Sequence, residues 1–176
     1  MSRSTLLIGN VEFNKGKTYD EVKEAIYYFC KYSEVDEPDI IEQYDDYLNN
    51  LRHRTNGAHI IIFNDIIKLD IQDINWASYR NENTINILKF IVAKYNDLIG
   101  DVDFLLYYLE EYNEGLRYNF YSKEYTIDDL ITDLITDLTE RKSLIINDYL
   151  DELVKDNIID EKIVMLYNLR KNEGDD

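Results

Sequence analysis

The sequence predicts an α+β fold in which an antiparallel sheet of two or more hairpins is covered by helices, with a helical, acidic C-terminal part. Three observations favour this class: short β-type runs occur in pairs, stretches of helical periodicity lie between them, and acidic residues accumulate toward the C-terminus. The 176 residues are 45% hydrophobic, which is enough for one substantial core. We therefore predict a single compact domain over residues 1–171, followed by a disordered acidic tail over residues 172–176.

The first predicted elements are a strand over Thr5–Phe13 and a helix that begins after Thr18. The strand region is apolar and β-friendly, and the sequence Asn14-Lys15-Gly16 that follows it is typical of a turn. Thr18 and Glu21 have the spacing of a capping box, which marks a helix start. Apolar residues at helical spacing then predict one buried stripe, formed by Val22, Ala25, Ile26 and Phe29.

A second helix is predicted between Asp36, which caps it, and the stop signal Asn56-Gly57. Pro38 then lies in the first helical turn, where a proline is tolerated. The predicted inner face of this helix comprises Ile40, Ile41, Tyr44, Tyr47, Leu48 and Leu51. The pattern therefore places residues 36–55 in one amphipathic helix.

Two hairpins are predicted in the central part of the chain. The first joins Ile60–Phe63 to the alternating run at residues 67–71 through Asn64-Asp65, a turn that lacks glycine. The second joins Val102–Leu109 to Leu116–Tyr121 through Tyr112–Gly115. Between the hairpins, helical spacing from residue 85 to Leu98 predicts a helix capped by Asn81 or Asn83. Gly100 then supplies the left-handed residue that ends it.

The C-terminal part is predicted to be helical. A long helical pattern begins at Thr126, and it either breaks near residues 139–143 or continues to Val154. A last short helix fits Asp160–Arg170.

Composition excludes several classes of protein. The chain has 19 Lys and Arg against 36 Asp and Glu, a formal net charge of −17, which argues against direct nucleic-acid binding because phosphates require a cationic face. The single cysteine, Cys30, cannot form an internal disulfide, and no leader-like segment is recognised. No apolar stretch approaches the ~20 residues of a membrane helix. We therefore expect a cytoplasmic protein without a membrane span.

The search for catalytic motifs yields one weak candidate. Gly16-Lys17-Thr18 follows a strand and opens a helix, as in a phosphate-binding P-loop, but Val11 stands where that motif requires its first glycine. A degenerate P-loop-like nucleotide-binding protein that uses Lys17 and Thr18 is therefore kept as an alternative. Cys30, His53 and His59 are too few for a closed zinc site. We predict no enzyme activity, no catalytic residue, no metal site and no cofactor.

Clustered acidic residues are the first feature above background. A four-residue repeat places Asp129, Asp133 and Asp137 on one side of a helix, where like charges at this spacing repel one another. The segment from Asp36 to Asp46 holds six acidic residues and no basic residue. One interpretation is a solvated surface; the other is a binding surface for a cationic partner.

Tyrosine is the second such feature, with 16 tyrosines against six phenylalanines and one tryptophan. Tyrosine suits sites where the ring is buried and the hydroxyl stays in water, which include protein interfaces. Tyr107 and Tyr108 are consecutive on a predicted strand, so they point to opposite faces of the sheet. An A·T-rich coding sequence is the alternative explanation for part of the excess.

The leading hypothesis is a non-catalytic acidic inhibitor that occludes the basic site of a nucleic-acid-binding protein or nuclease. It would act as a phage-type anti-defence nucleic-acid mimic or as the immunity partner of a nuclease toxin, and its oligomeric state is left open. In charge and size, the chain is similar to immunity and anti-restriction proteins. The predicted partner-binding residues are Asp36, Glu37, Asp39, Glu42, Asp45, Asp46, Tyr107, Tyr108, Glu110, Glu111, Tyr112, Asp128, Asp129, Asp133 and Asp137.

A further alternative comes from a short resemblance. Ile74-Asn75-Trp76, followed by a hydrophobic helical pattern, resembles the groove-forming segment of viral Bcl-2-like proteins. The likeness covers three residues, and Ala77 and Ser78 replace the glycine and arginine that the family has next. It implies an all-helical host-factor decoy, which the predicted strands argue against.

Overall fold

The computed structural model describes residues 5–41, 57–75, 87–108, 115–120 and 147–173. These residues form six strands and four helices, so the predicted α+β class is confirmed. In chain order the elements are β1 (Thr5–Phe13), α1 (Tyr19–Ser33), β2 (Asp39–Ile41), β3 (Gly57–Phe63), β4 (Ile66–Asn75), α2 (87–94), β5 (Ile99–Tyr108), β6 (Gly115–Phe120), α3 (Asn147–Lys155) and α4 (Glu161–Glu173).

The strands form one sheet in the order β2-β3-β4-β1-β5-β6. Neighbouring strands are antiparallel except β2 and β3, which pair in parallel with Ile40 opposite Ile60. The prediction of a purely antiparallel sheet is therefore wrong, and the sheet is mixed. The reason lies in the connection: two parallel neighbours need a crossover of a dozen or more residues, and residues 42–56 supply that length.

β2 also corrects the second predicted helix. Asp39–Ile41 form a strand where the sequence analysis places the first turns of a helix. Pro38 explains the difference, because a proline restricts the residue before it, here Glu37, to extended conformations. Ile40 and Ile41 are β-branched and suit a strand. The rest of that predicted helix, residues 42–56, lies outside the described residues.

Helix α1 begins as its capping signals predict. The Glu21 backbone N–H donates to Thr18 Oγ1 at 3.4 Å, and the Thr18 N–H donates to Glu21 Oε2 at 2.8 Å. The predicted inner stripe is buried in full and packs in one core cluster with residues of α2, α3 and the sheet. Most buried sheet residues alternate along the strands: Val11, Phe13, Ala58, Ile60, Ile67, Leu69, Ile71, Val102 and Phe104. Ile41 at the end of β2 and Ile99 at the start of β5 are buried as well.

Gly100 does not end a helix, contrary to the prediction. Helix α2 ends at residue 94, a turn follows, and Gly100 lies inside β5. Asn14 determines this arrangement, because its backbone N–H donates to the Leu98 carbonyl at 2.9 Å and its side-chain amide donates to the Asp97 carbonyl at 3.0 Å. A Cβ at position 100 would lie 3.2 Å from Asn14 Oδ1, so the glycine makes room for this contact.

The sheet also excludes the all-helical fold that the resemblance to Bcl-2-like proteins implies. Ile74 and Asn75 lie at the end of β4 and pair with β1. Within the described ranges, no helix has both the length and the apolar character needed to cross a membrane.

Candidate functional site

The structure describes five of the predicted partner-binding residues. Asp36, Glu37 and Asp39 lie in and beside β2, and Tyr107 and Tyr108 lie in β5. The others lie outside the described residues, and their placement stays a prediction: Glu42, Asp45, Asp46, Glu110, Glu111, Tyr112, Asp128, Asp129, Asp133 and Asp137.

Asp36, Glu37 and Asp39, which we call the acidic segment, connect α1 to the outermost described strand on one side of the sheet. Helix α1 ends at Glu34, whose left-handed backbone (φ 54°) turns the chain away from the helix axis. All three side chains of the acidic segment are exposed. Within the described part of the chain, none of them makes an ion pair. The acidic segment therefore presents three carboxylates to solvent beside the outermost described strand, without an ion pair to any described base.

The two predicted tyrosines of β5 follow the alternation of the strand. Position 108 continues the register of the buried Val102 and Phe104, and position 107 lies in the opposite register. Tyr107 pairs with Leu6 and Tyr108 with Thr5 on the central strand β1. The tyrosines of β5 and the acidic segment thus lie on strands separated by β3, β4 and β1.

A second group of tyrosines, which sequence analysis did not select, lies on and next to α1. The Tyr28 ring is stacked between Tyr32 and Tyr95, with centroid distances of 6.5 and 6.4 Å. Tyr27 meets Tyr28 edge-on at 5.2 Å, and 60% of Tyr27 is exposed. We call these four residues the tyrosine cluster. The spacing of Tyr28 and Tyr32, one helical turn apart beside the apolar stripe, was the available signal; the contact with Tyr95 was not predictable.

Charged groups of α1 and α3 hold one end of the tyrosine cluster. Asp156 Oδ2 accepts hydrogen bonds from Lys31 Nζ at 2.5 Å and from the Tyr32 hydroxyl at 2.6 Å. Lys31 Nζ also lies 3.6 Å from Glu152 Oε1 and 5.2 Å from the centroid of the Tyr32 ring. This network joins the C-terminal ends of two helices that are far apart in the sequence.

The pKa shifts in this network preserve the ordinary protonation states at neutral pH. Burial raises the pKa of Tyr32 and Tyr95, and the nearby carboxylates of Asp156 and Glu24 raise them further. Burial opposes ionisation of Asp156, but hydrogen bonds from Lys31 and Tyr32 hold its pKa below the usual value. The hydrogen bond to Asp156 raises the pKa of Lys31. A general base or acid needs a pKa near neutrality, and none of these shifts moves toward it.

The geometry at Gly16-Lys17-Thr18 is that of a turn and a capped helix. The N–H of Gly16 donates to the Asp65 carbonyl at 2.9 Å, and that of Lys17 donates to the Asn14 carbonyl at 3.2 Å. The Thr18 N–H donates to the Glu21 carboxylate. A P-loop directs such N–H groups at phosphates, whereas here they are occupied and a carboxylate sits at the helix N-terminus. The nucleotide-binding alternative therefore has no geometric support.

The thiol and the imidazole of the described residues form no site together. Cys30 is buried on the inner face of α1, and burial raises its pKa to about 12. His59 lies on β3 with a buried Nδ1 that has no hydrogen-bond partner among the described residues. No group of three or more metal-ligating side chains occurs in the described ranges.

Comparisons of the chain with protein-family models, with curated proteins and with solved structures find no match.

Proposed function

We propose that this protein is a non-catalytic acidic inhibitor that binds the basic site of a nucleic-acid-acting protein and blocks it. The net charge of −17 favours a partner whose binding surface is positively charged, because a strongly acidic surface attracts cationic surfaces and repels nucleic acid. The roles left open are those of a phage-type anti-defence protein and of an immunity protein for a nuclease toxin. Both roles place the protein in the cytoplasm.

The observation that supports the proposal is that the three side chains of the acidic segment are exposed and make no ion pair with a described residue. If the charge served solubility alone, carboxylates interspersed with lysines would be favourable. Lys23 and Asp20 on α1 form such a pair, with Nζ and Oδ1 3.4 Å apart. Asp36, Glu37 and Asp39 instead stand together on an extended stretch of chain. Their mutual repulsion is relieved when a cationic surface covers them.

The mechanism follows from this arrangement. Carboxylates of the acidic segment take the places of phosphates in the partner's basic cleft, and the body of the domain excludes nucleic acid sterically. Exposed Tyr27 adds a ring on which an arginine side chain stacks favourably. The predicted stripe of Asp129, Asp133 and Asp137 extends the same electrostatic pattern.

The test begins with a partner identified by competition. The protein is immobilised and exposed to lysates of candidate hosts at low salt, and the retained proteins are eluted with duplex DNA. We expect elution of a nucleic-acid-acting protein whose DNA binding or cleavage the purified inhibitor blocks. Raising the ionic strength slows the association, because exposed charges are screened beyond about 10 Å at 0.1 M salt. Retained proteins that DNA does not elute contradict the proposal.

A matched pair of variants locates the contact. The first removes the acidic segment (Asp36→Asn, Glu37→Gln and Asp39→Asn). The second removes three exposed carboxylates elsewhere (Asp65→Asn, Asp97→Asn and Asp151→Asn), so both variants have the same net charge. We expect the first variant to lose inhibition at least tenfold more than the second. Equal losses show that net charge acts without a defined surface, which overturns the assignment of the acidic segment.

Charge reversal of Asp129, Asp133 and Asp137 tests the predicted helical stripe separately. Loss of inhibition in this variant, with the acidic segment intact, places the stripe in the interface. Unchanged inhibition removes it.

A further inference from the structure

We draw no further inference here: the strongest candidate, the row of polar side chains that crosses three paired strands from Asp39 on β2 through His59 on β3 to Asp70 on β4, is a small acidic cluster around one imidazole, and nothing in the structure shows what covers it.

Discussion

At the residue scale, Gly9 shows how a missing side chain shapes the core. A Cβ at position 9 would lie 1.9 Å from Cδ1 of Phe104 on the neighbouring strand β5. The Phe104 ring therefore lies directly over the central strand, where it meets the Phe29 ring of α1 at a centroid distance of 6.4 Å. Gly9 thus allows the sheet and α1 to pack closely.

We predict that Gly9→Ala destabilises the protein by about 1–3 kcal/mol, because the added methyl group overpacks the core. Phe104→Leu removes the ring that the methyl group meets, so the double variant should be more stable than the sum of the two single effects indicates. Urea unfolding of the wild type and the three variants measures this coupling. If the losses of stability from Gly9→Ala and Phe104→Leu are strictly additive, the alanine does not act through its contact with Phe104.

Ser33 is a residue at which a substitution is expected to stabilise the protein. Its side chain is 2% exposed, and its hydroxyl has no hydrogen-bond partner in the described part of the chain. We predict that Ser33→Ala raises the free energy of unfolding by about 1 kcal/mol, because it removes an unsatisfied polar group and improves helix propensity. Thermal and urea unfolding provide the measurement. A loss of stability would reveal a partner for the hydroxyl.

Some of these residue-level features could be predicted from the sequence. The burial of Cys30 was predictable because its position falls on the apolar stripe of α1. A glycine within a strand indicates a close approach, but the partner Phe104 is set by the register between β1 and β5, which local sequence does not encode. Ser33 is a polar residue on a buried stripe, so its burial follows from its position on the helix and not from its side-chain type.

At the scale of elements, the link between α1 and α3 is a charged network on the protein surface. The side chains of Lys31 and Asp156 are 30% and 17% exposed, which limits solvent screening of their ion pair. The hydroxyl of Tyr32 adds a second donor to the same carboxylate oxygen. This network therefore fixes the end of α3 against α1.

The network predicts a specific pH dependence of stability. The Asp156 carboxyl has a pKa below its usual 3.8 in the folded protein, so its contribution is present above that value and is lost as the pH falls through the folded pKa. The pKa of Lys31 is raised above 10.5, so its contribution is lost only when the pH rises beyond that value. We expect Asp156→Asn to cost about 1–2 kcal/mol at pH 7.

Urea unfolding at several pH values measures this difference. The gap between the wild type and Asp156→Asn should stay constant from pH 6 to 8 and shrink as the pH falls below 3.8 and through the folded pKa of Asp156. Asp97→Asn serves as the control for the loss of one exposed carboxylate. A gap that is independent of pH in acid would assign the loss to packing instead of charge.

Elements with local signals were predicted well, and those set by distant contacts were not. The capping box of Thr18 and Glu21 fixed the start of α1 because both partners lie within one turn. The sequence predicts a helix at the position of β2 because Pro38 suits both a first helical turn and an extended segment, and only the pairing with β3 decides between them. The tyrosine cluster depends on Tyr95 and Asp156, which lie directly after the ends of α2 and α3.

At the scale of the whole molecule, the net charge of −17 opposes the compact state. Folding concentrates the carboxylates in a smaller volume, so their repulsion is stronger in the folded than in the unfolded chain. The ion pairs of Lys23 and Lys31 offset a small part of that charge. The surface charge therefore costs stability at low ionic strength.

We predict that sodium chloride stabilises the protein between 20 and 300 mM, because salt shortens the range of repulsion from about 20 Å to below 10 Å. The midpoint of thermal unfolding should rise over this range and then level off. The variant without the acidic segment should be more stable than the wild type at low salt, and the difference should shrink as salt is added. A midpoint that falls with salt would mean that attractive pairs dominate.

The overall class was predictable from the sequence, while the arrangement of the strands was not. Alternating and helical periodicities identify strands and helices, so the α+β class followed from them. The position of β1 at the centre of the sheet, and the parallel contact of β2 with β3, depend on which strands meet after the chain collapses. The predicted binding residues in regions 42–46, 110–112 and 128–137 lie outside the described residues and stay predictions.

The position of β1 has a consequence for biosynthesis. Thr5 pairs on one side with Asn75 and on the other with Tyr108, so β1 is flanked by two strands that leave the ribosome after it. Until then both of its edges are open, and open strand edges recruit other chains. Nascent molecules of this protein therefore pass through a prolonged window in which chaperones that shield unpaired β-strands should improve the yield of native protein.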